Sequence, residues 1–146
     1  MSRALHLLLE QLDNKERKAA AELGAAQLQL QQLEQQQQTL NQYQRNYSEE
    51  FQSRGREGLT SHQFGHFQGF INKLEAAQEQ QQGVLQQARL QLEQTRTDWM
   101  ALRTRKQAIE TLLARAAERK QVESNRQEQK MMDNMAIYRF YNQKKR

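Results

Sequence analysis

The sequence contains no cysteine and no proline, and only six glycines among 146 residues. Without thiols there are no disulfides, no thiol catalysis and no cysteine-ligated zinc. Without proline, nothing forces a helix to break. Hydrophobic residues make up 36% and aromatics 7%, and the mean hydropathy is −1.08. A globule of this size needs about half its residues apolar, so a broad core is excluded. No stretch approaches the ~20 apolar residues of a membrane span. The opening MSRALHLLLEQLDNKE has a short apolar run but no small-residue cleavage site, and it turns acidic at once. It reads as structure rather than as a signal peptide, and the chain is expected in the cytoplasm. No glycine-rich phosphate loop is present.

What remains is a helix-forming alphabet. The apolar residues are mostly Leu and Ala, and glutamine occurs 27 times; these, with Glu, Lys and Arg, favour helices. The hydrophobic period then sets the architecture. Steps of four and three from Leu5 reach Leu9, Leu12, Glu16, Ala19, Leu23, Ala26, Leu30, Leu33, Gln37, Leu40, Gln44, Tyr47 and Phe51, with only three polar positions. A second seam runs Phe64, Phe67, Ile71, Leu74, Gln78, Gln81, Leu85, Ala88, Leu92, Thr95, Trp99, Leu102, Lys106, Ile109, Leu113 and Ala116. Heptads sustained over this length predict a coiled coil. Polar seam residues such as Glu16, Gln37, Gln44, Gln78, Gln81 and Lys106 weaken it, but polar seam layers can also fix register.

Between the seams, Gly55 and Gly58 mark a turn. Thr60 and Gln63 have capping-box spacing, with Leu59 and Phe64 at the staple positions. The expected fold is all-α: a long two-stranded antiparallel coiled-coil hairpin with a projecting C-terminal helix, a single domain over 1–146. Helix one is expected at about 3–53, the turn at about 54–59 and helix two at about 60–140. A turn centred near Arg56 pairs Ala19 with Leu92, Leu23 with Ala88 and Ala26 with Leu85. A shift of one heptad would instead set Gln37 near Gln81; the first register is preferred. In either, helix one runs out opposite about residue 110, and some thirty residues of helix two, roughly 45 Å, project beyond it.

Residues 1–100 hold ten Lys/Arg against twelve Asp/Glu, and residues 101–146 hold twelve against five. The basic excess thus lies in the segment expected to project. That segment also carries Val122, Met131, Met132, Met135, Ile137, Tyr138, Phe140 and Tyr141, apolar side chains that await a partner. Nucleic acid fits poorly, because the basic residues alternate with Glu118, Glu123, Glu128 and Asp133 even though the chain closes on Lys144-Lys145-Arg146. His62 and His66 lie four apart, yet Gln63 and Phe64 stand where an H-E-x-x-H motif needs its glutamate, and zinc needs further ligands. The scattered carboxylates have no concave pocket to tune them. Neither catalysis, a metal nor a cofactor is expected.

The residues say more in order. Tyr43-x-x-x-Tyr47, Gly58-Leu59-Thr60 and Gln68-x-Phe70-Ile71-x-Lys73-Leu74 are followed by Trp99, Arg103-Thr104-Arg105-Lys106, Arg115 and Arg126-x-x-Gln129-Lys130-x-x-Asp133. Taken together, this series resembles the flagellar type III export protein family FliJ over essentially the whole chain. One departure is Asn134, where the family usually has Glu after Asp133. The resemblance implies a small export component at the cytoplasmic face of the inner membrane, similar to the stalk of rotary ATPases and serving flagellum assembly. Its implied partners are the hexameric export ATPase, the cytoplasmic domain of the export-gate membrane protein, and export chaperones. Injectisome stalks share this architecture, and a generic coiled-coil scaffold or a nucleic-acid-associated protein is the alternative.

Two sets of site residues follow. Phe70, Leu74 and Ala77 share one helical stripe beside the seam, with Gln81 next on it; the resemblance implies that this stripe contacts the export gate. Phe70 is not needed for the heptad, so its ring is expected to be partly exposed. The ATPase ring is expected to engage the helical ends: Leu5, Leu8 and Leu9 at the start, and Arg115, Arg119, Lys120, Arg126, Gln129, Lys130 and Asp133 toward the end.

Overall fold

A computed structural model describes residues 2–145 and consists, over those residues, of two helices. Helix α1 runs Ser2–Glu57 and α2 runs Ser61–Lys145. The all-α expectation is met.

The turn is tighter than expected. Helix α1 continues through Gly55, and among the described residues only Gly58 takes a positive φ, at 100°. A β-carbon is strained in that left-handed region, so glycine ends the helix there. Arg54 and Arg56 lie in the last turn of α1, where cations favour the negative end of the helix dipole, and Arg54 pairs with Glu50 at 3.1 Å. These contributions carry the helix past the point where two nearby glycines suggested a stop. On the far side the capping box forms. The Gln63 N–H donates to Thr60 Oγ1 and the Thr60 N–H to Gln63 Oε1, each at 3.2 Å.

The chain divides into two units, Glu16–Ala101 and Met1–Lys15 with Leu102–Arg146. In the first, the helices form an antiparallel hairpin. Phe51 stacks near Phe64 and Phe67, at 5.7 and 5.5 Å between ring centroids, and Tyr47 near Phe67 at 5.1 Å. Farther from the turn, Gln78 Nε2 donates to Asn41 Oδ1 at 3.0 Å and Gln44 Oε1 at 2.7 Å. At the far end the Trp99 indole N–H donates to Glu16 Oε1 at 3.0 Å. Ala19, Phe67, Leu85 and Thr95 are buried, and most of the remaining seam residues are half-covered; Phe64 stays 51% exposed.

These contacts correct the preferred register. With a turn centred near Arg56, Glu16 would face Thr95; it bonds Trp99, one helical turn farther along. Gln81 reaches the Leu33 carbonyl and Gln36 Oε1, both at 3.4 Å, close to the heptad-shifted alternative. The pairings of Ala19 with Leu92, Leu23 with Ala88 and Ala26 with Leu85 are displaced accordingly. The cause is the turn itself: with α1 ending at Glu57 and α2 starting at Ser61, the point of reversal moves along the chain and carries every cross-helix pair with it.

In the other unit, Leu12 is buried, and Leu5, Leu9, Leu102, Ile109 and Leu113 are half-covered. Lys106, a polar seam residue, pairs with Asp13 at 2.7 Å. The covered stripe ends at Leu113. Every side chain from 114 to 144 is exposed, including Ala116, which the heptad pattern had placed in the seam.

Candidate interaction surfaces

Three surfaces carry the residues singled out from sequence. The first lies in the hairpin unit. Phe70 is 43% exposed, and its ring packs against Tyr47 at 4.2 Å between centroids. Leu74, Ala77 and Gln81 are half-covered. Gln81 also turns its amide toward α1 and lines an open groove of about 540 Å³ with Gln32, Gln35, Gln36, Thr39 and Leu40. The stripe is thus continuous, apolar toward the turn and amide-rich away from it. Sequence reasoning missed Tyr47 as the support of the Phe70 ring, because that pairing depends on register.

The second surface is in the unit containing the chain ends. Leu8 is 40% exposed, whereas Leu5 and Leu9 are half-covered. Leu9 shares a shallow cleft with His6, Glu10, Asp13, Lys106 and Glu110. The first turns therefore present Leu8 outward, while their seam leucines are partly spent on packing.

The third is the exposed stretch of α2 over 114–144. Arg115, Arg119, Lys120, Arg126, Gln129, Lys130 and Asp133 are all exposed. Gln129 Nε2 donates to Asp133 Oδ1 at 3.1 Å, and Arg119 Nε to the Arg115 carbonyl at 3.4 Å. The apolar side chains beyond them are equally bare, from 51% exposed at Met135 to 67% at Tyr138. At 100° per residue, Met131, Met132, Met135, Ile137, Tyr138, Phe140 and Tyr141 surround the helix instead of forming one stripe. A helix apolar on all sides is stable when enclosed on all sides. Lys144 sits over the Phe140 ring at 5.2 Å. Of the basic end, Arg146 and the Lys145 side chain lie outside the described residues.

His62 and His66 meet edge to face, with ring centroids 4.8 Å apart, and both are exposed. Among the described residues, no group of three or more His, Cys, Asp or Glu side chains could hold a metal ion. No described helix is long and apolar enough to cross a membrane.

Two long helices and no strand among the described residues define the class: an all-α helical-hairpin protein. The family model described as flagellar FliJ protein matches residues 1–145, and the chain belongs to that family. It is therefore a component connected with flagellar protein export. No curated protein and no solved structure matches the chain.

Proposed function

We propose that this chain is the coiled-coil stalk of a flagellar export apparatus, working at the cytoplasmic face of the inner membrane. Its helical ends engage the hexameric export ATPase and promote ring assembly or activity. The side stripe Phe70, Leu74, Ala77 and Gln81 meets the cytoplasmic domain of the export-gate protein, and the stalk escorts export chaperones. The observation that carries this reading is the bare length of α2 from 114 to 144, with apolar side chains on all sides near its end. A flat groove would leave half of that surface wet, whereas an enclosing ring covers all of it. Basic residues Arg115, Arg119, Lys120, Arg126 and Lys130 precede the apolar stretch and favour an acidic entrance. Leu8 adds apolar surface from the first turns.

Truncation after Leu113 tests the reading. The shortened chain should lose most of its stimulation of ATP hydrolysis and of hexamer assembly. Full stimulation by the truncated protein would overturn the assignment, because the exposed apolar and basic residues would then be dispensable.

A further inference from the structure

The gate-facing stripe does not stop where the family resemblance stops. Phe70, Ala77 and Val84 stand seven residues apart on α2, two helical turns per step, and so share one face with a drift of only about 20° per heptad. Val84 is 42% exposed, almost the same as Phe70 at 43%. Its neighbours Gln80, Gln81 and Gln82 are polar, and as a β-branched residue it is a poorer helix former than the Gln, Leu and Ala around it. The hairpin thus gains little from a valine here. One heptad to either side, Gln63 and Gln91 are exposed and polar, so the apolar face begins at Phe70 and ends at Val84, about 21 Å along the helix. Positions 70, 74, 77, 81 and 84 carry no charge.

The glycines beside the two exposed apolar residues fit the same picture. Gly69 and Gly83 lie inside α2, where each costs about 0.5–1 kcal/mol relative to alanine. A β-carbon at either position would meet nothing within 4 Å. The chain's own packing does not call for glycine there, while a partner lying against Phe70 and Val84 gains close approach to the backbone.

We propose that Val84 is a further contact residue for the export-gate protein's cytoplasmic domain, closing the far end of the stripe that starts at Phe70. This rests on the assignment of that stripe made above, and continuity of the uncharged face selects the same partner. Binding of the full chain to the purified gate-protein cytoplasmic domain is measured for Phe70→Ala, Val84→Glu and Gln82→Glu. Position 82 is exposed and off the stripe, so the last variant controls for added charge. Glutamate is a good helix former, so the helical content and melting of Val84→Glu and Gln82→Glu should match the parent; Phe70→Ala should keep its helical content while losing the packing of its ring on Tyr47. Phe70→Ala and Val84→Glu should each weaken binding about tenfold, and Gln82→Glu should change it less than twofold. If Phe70→Ala weakens binding and Val84→Glu does not, the inference is overturned while the stripe assignment stands. Equal losses for Val84→Glu and Gln82→Glu also overturn it, since charge alone would explain both. If Phe70→Ala has no effect and Val84→Glu still weakens binding, the contribution of Val84 stands and the assignment of Phe70 fails. Loss from none of the variants overturns both.

Discussion

Single residues make the turn, and the two glycines beside it behave oppositely. Gly58 occupies the left-handed region at φ 100°, where a β-carbon is strained. Gly55 is helical, and a β-carbon there would meet nothing within 4 Å. Gly58→Ala should therefore lower stability by about 1–2 kcal/mol, and Gly55→Ala should raise it by about 0.5–1 kcal/mol. Urea unfolding followed by circular dichroism reads both, and a stabilising Gly58→Ala would show that another residue ends the helix. Thr60→Ala removes the hydroxyl that accepts from the Gln63 N–H and should cost about 1 kcal/mol. The capping box was legible in sequence because all of its parts lie within four residues. Which glycine would turn was not, since both carry the same local signal and the balance is set by how far α1 can extend.

At the scale of the helices, a layer of amide side chains bridges the hairpin. Gln78 bonds Asn41 and Gln44, and Gln81 reaches Leu33 and Gln36, whereas Gln37 Oε1 is buried without a partner. Replacing Gln37 by Leu should raise stability by about 1 kcal/mol, because a desolvated acceptor is removed and apolar area added. Gln78→Leu should also preserve or raise the melting temperature, yet loosen the alignment, as polar seam residues specify register at a cost in stability. Spin labels at Gln27 and Gln91, both exposed in the hairpin unit, should give one narrow distance below about 20 Å in the parent, given interaxial spacings of 8–10 Å. The same labels should broaden in Gln78→Leu. An unchanged distribution would mean that the aromatic cluster of Tyr47, Phe51, Phe64 and Phe67 holds the register instead. The seam residues themselves were readable from period alone: Leu12, Ala19, Phe67, Leu85 and Thr95, the buried side chains among the described residues, are all on it.

For the whole molecule, charge divides along the chain. The net charge of +5 arises entirely within 101–146, and a run of exposed apolar side chains from Met131 to Tyr141 lies in the same region. Exposed ion pairs contribute only about 0–1 kcal/mol each, but a cluster accelerates encounter with an acidic surface. The association rate with the export ATPase should fall several-fold as salt shortens the Debye length below ~8 Å. The dissociation rate should change far less, because the apolar enclosure of 131–141 proposed above is not screened. Stopped-flow association across a salt series checks this. A dissociation rate that rises as steeply as the association rate falls would assign the contact to charge alone.

Whatever depends on residues close in sequence was determined by the sequence itself: two helices without a breaking proline, the Thr60–Gln63 cap, the heptad stripe, and a basic end with unspent apolar side chains. Helix period, capping and charge are local, so each can be read without knowing which residue lies across the hairpin. The tertiary structure decided the pairings. Trp99 bonds Glu16, Lys106 meets Asp13, and Tyr47 supports Phe70, none of which follows from period. Each of these depends on where the chain reverses, and a shift of the turn by about three residues moves every cross-helix partner by about a heptad, two helical turns, while leaving the seam pattern of both helices unchanged.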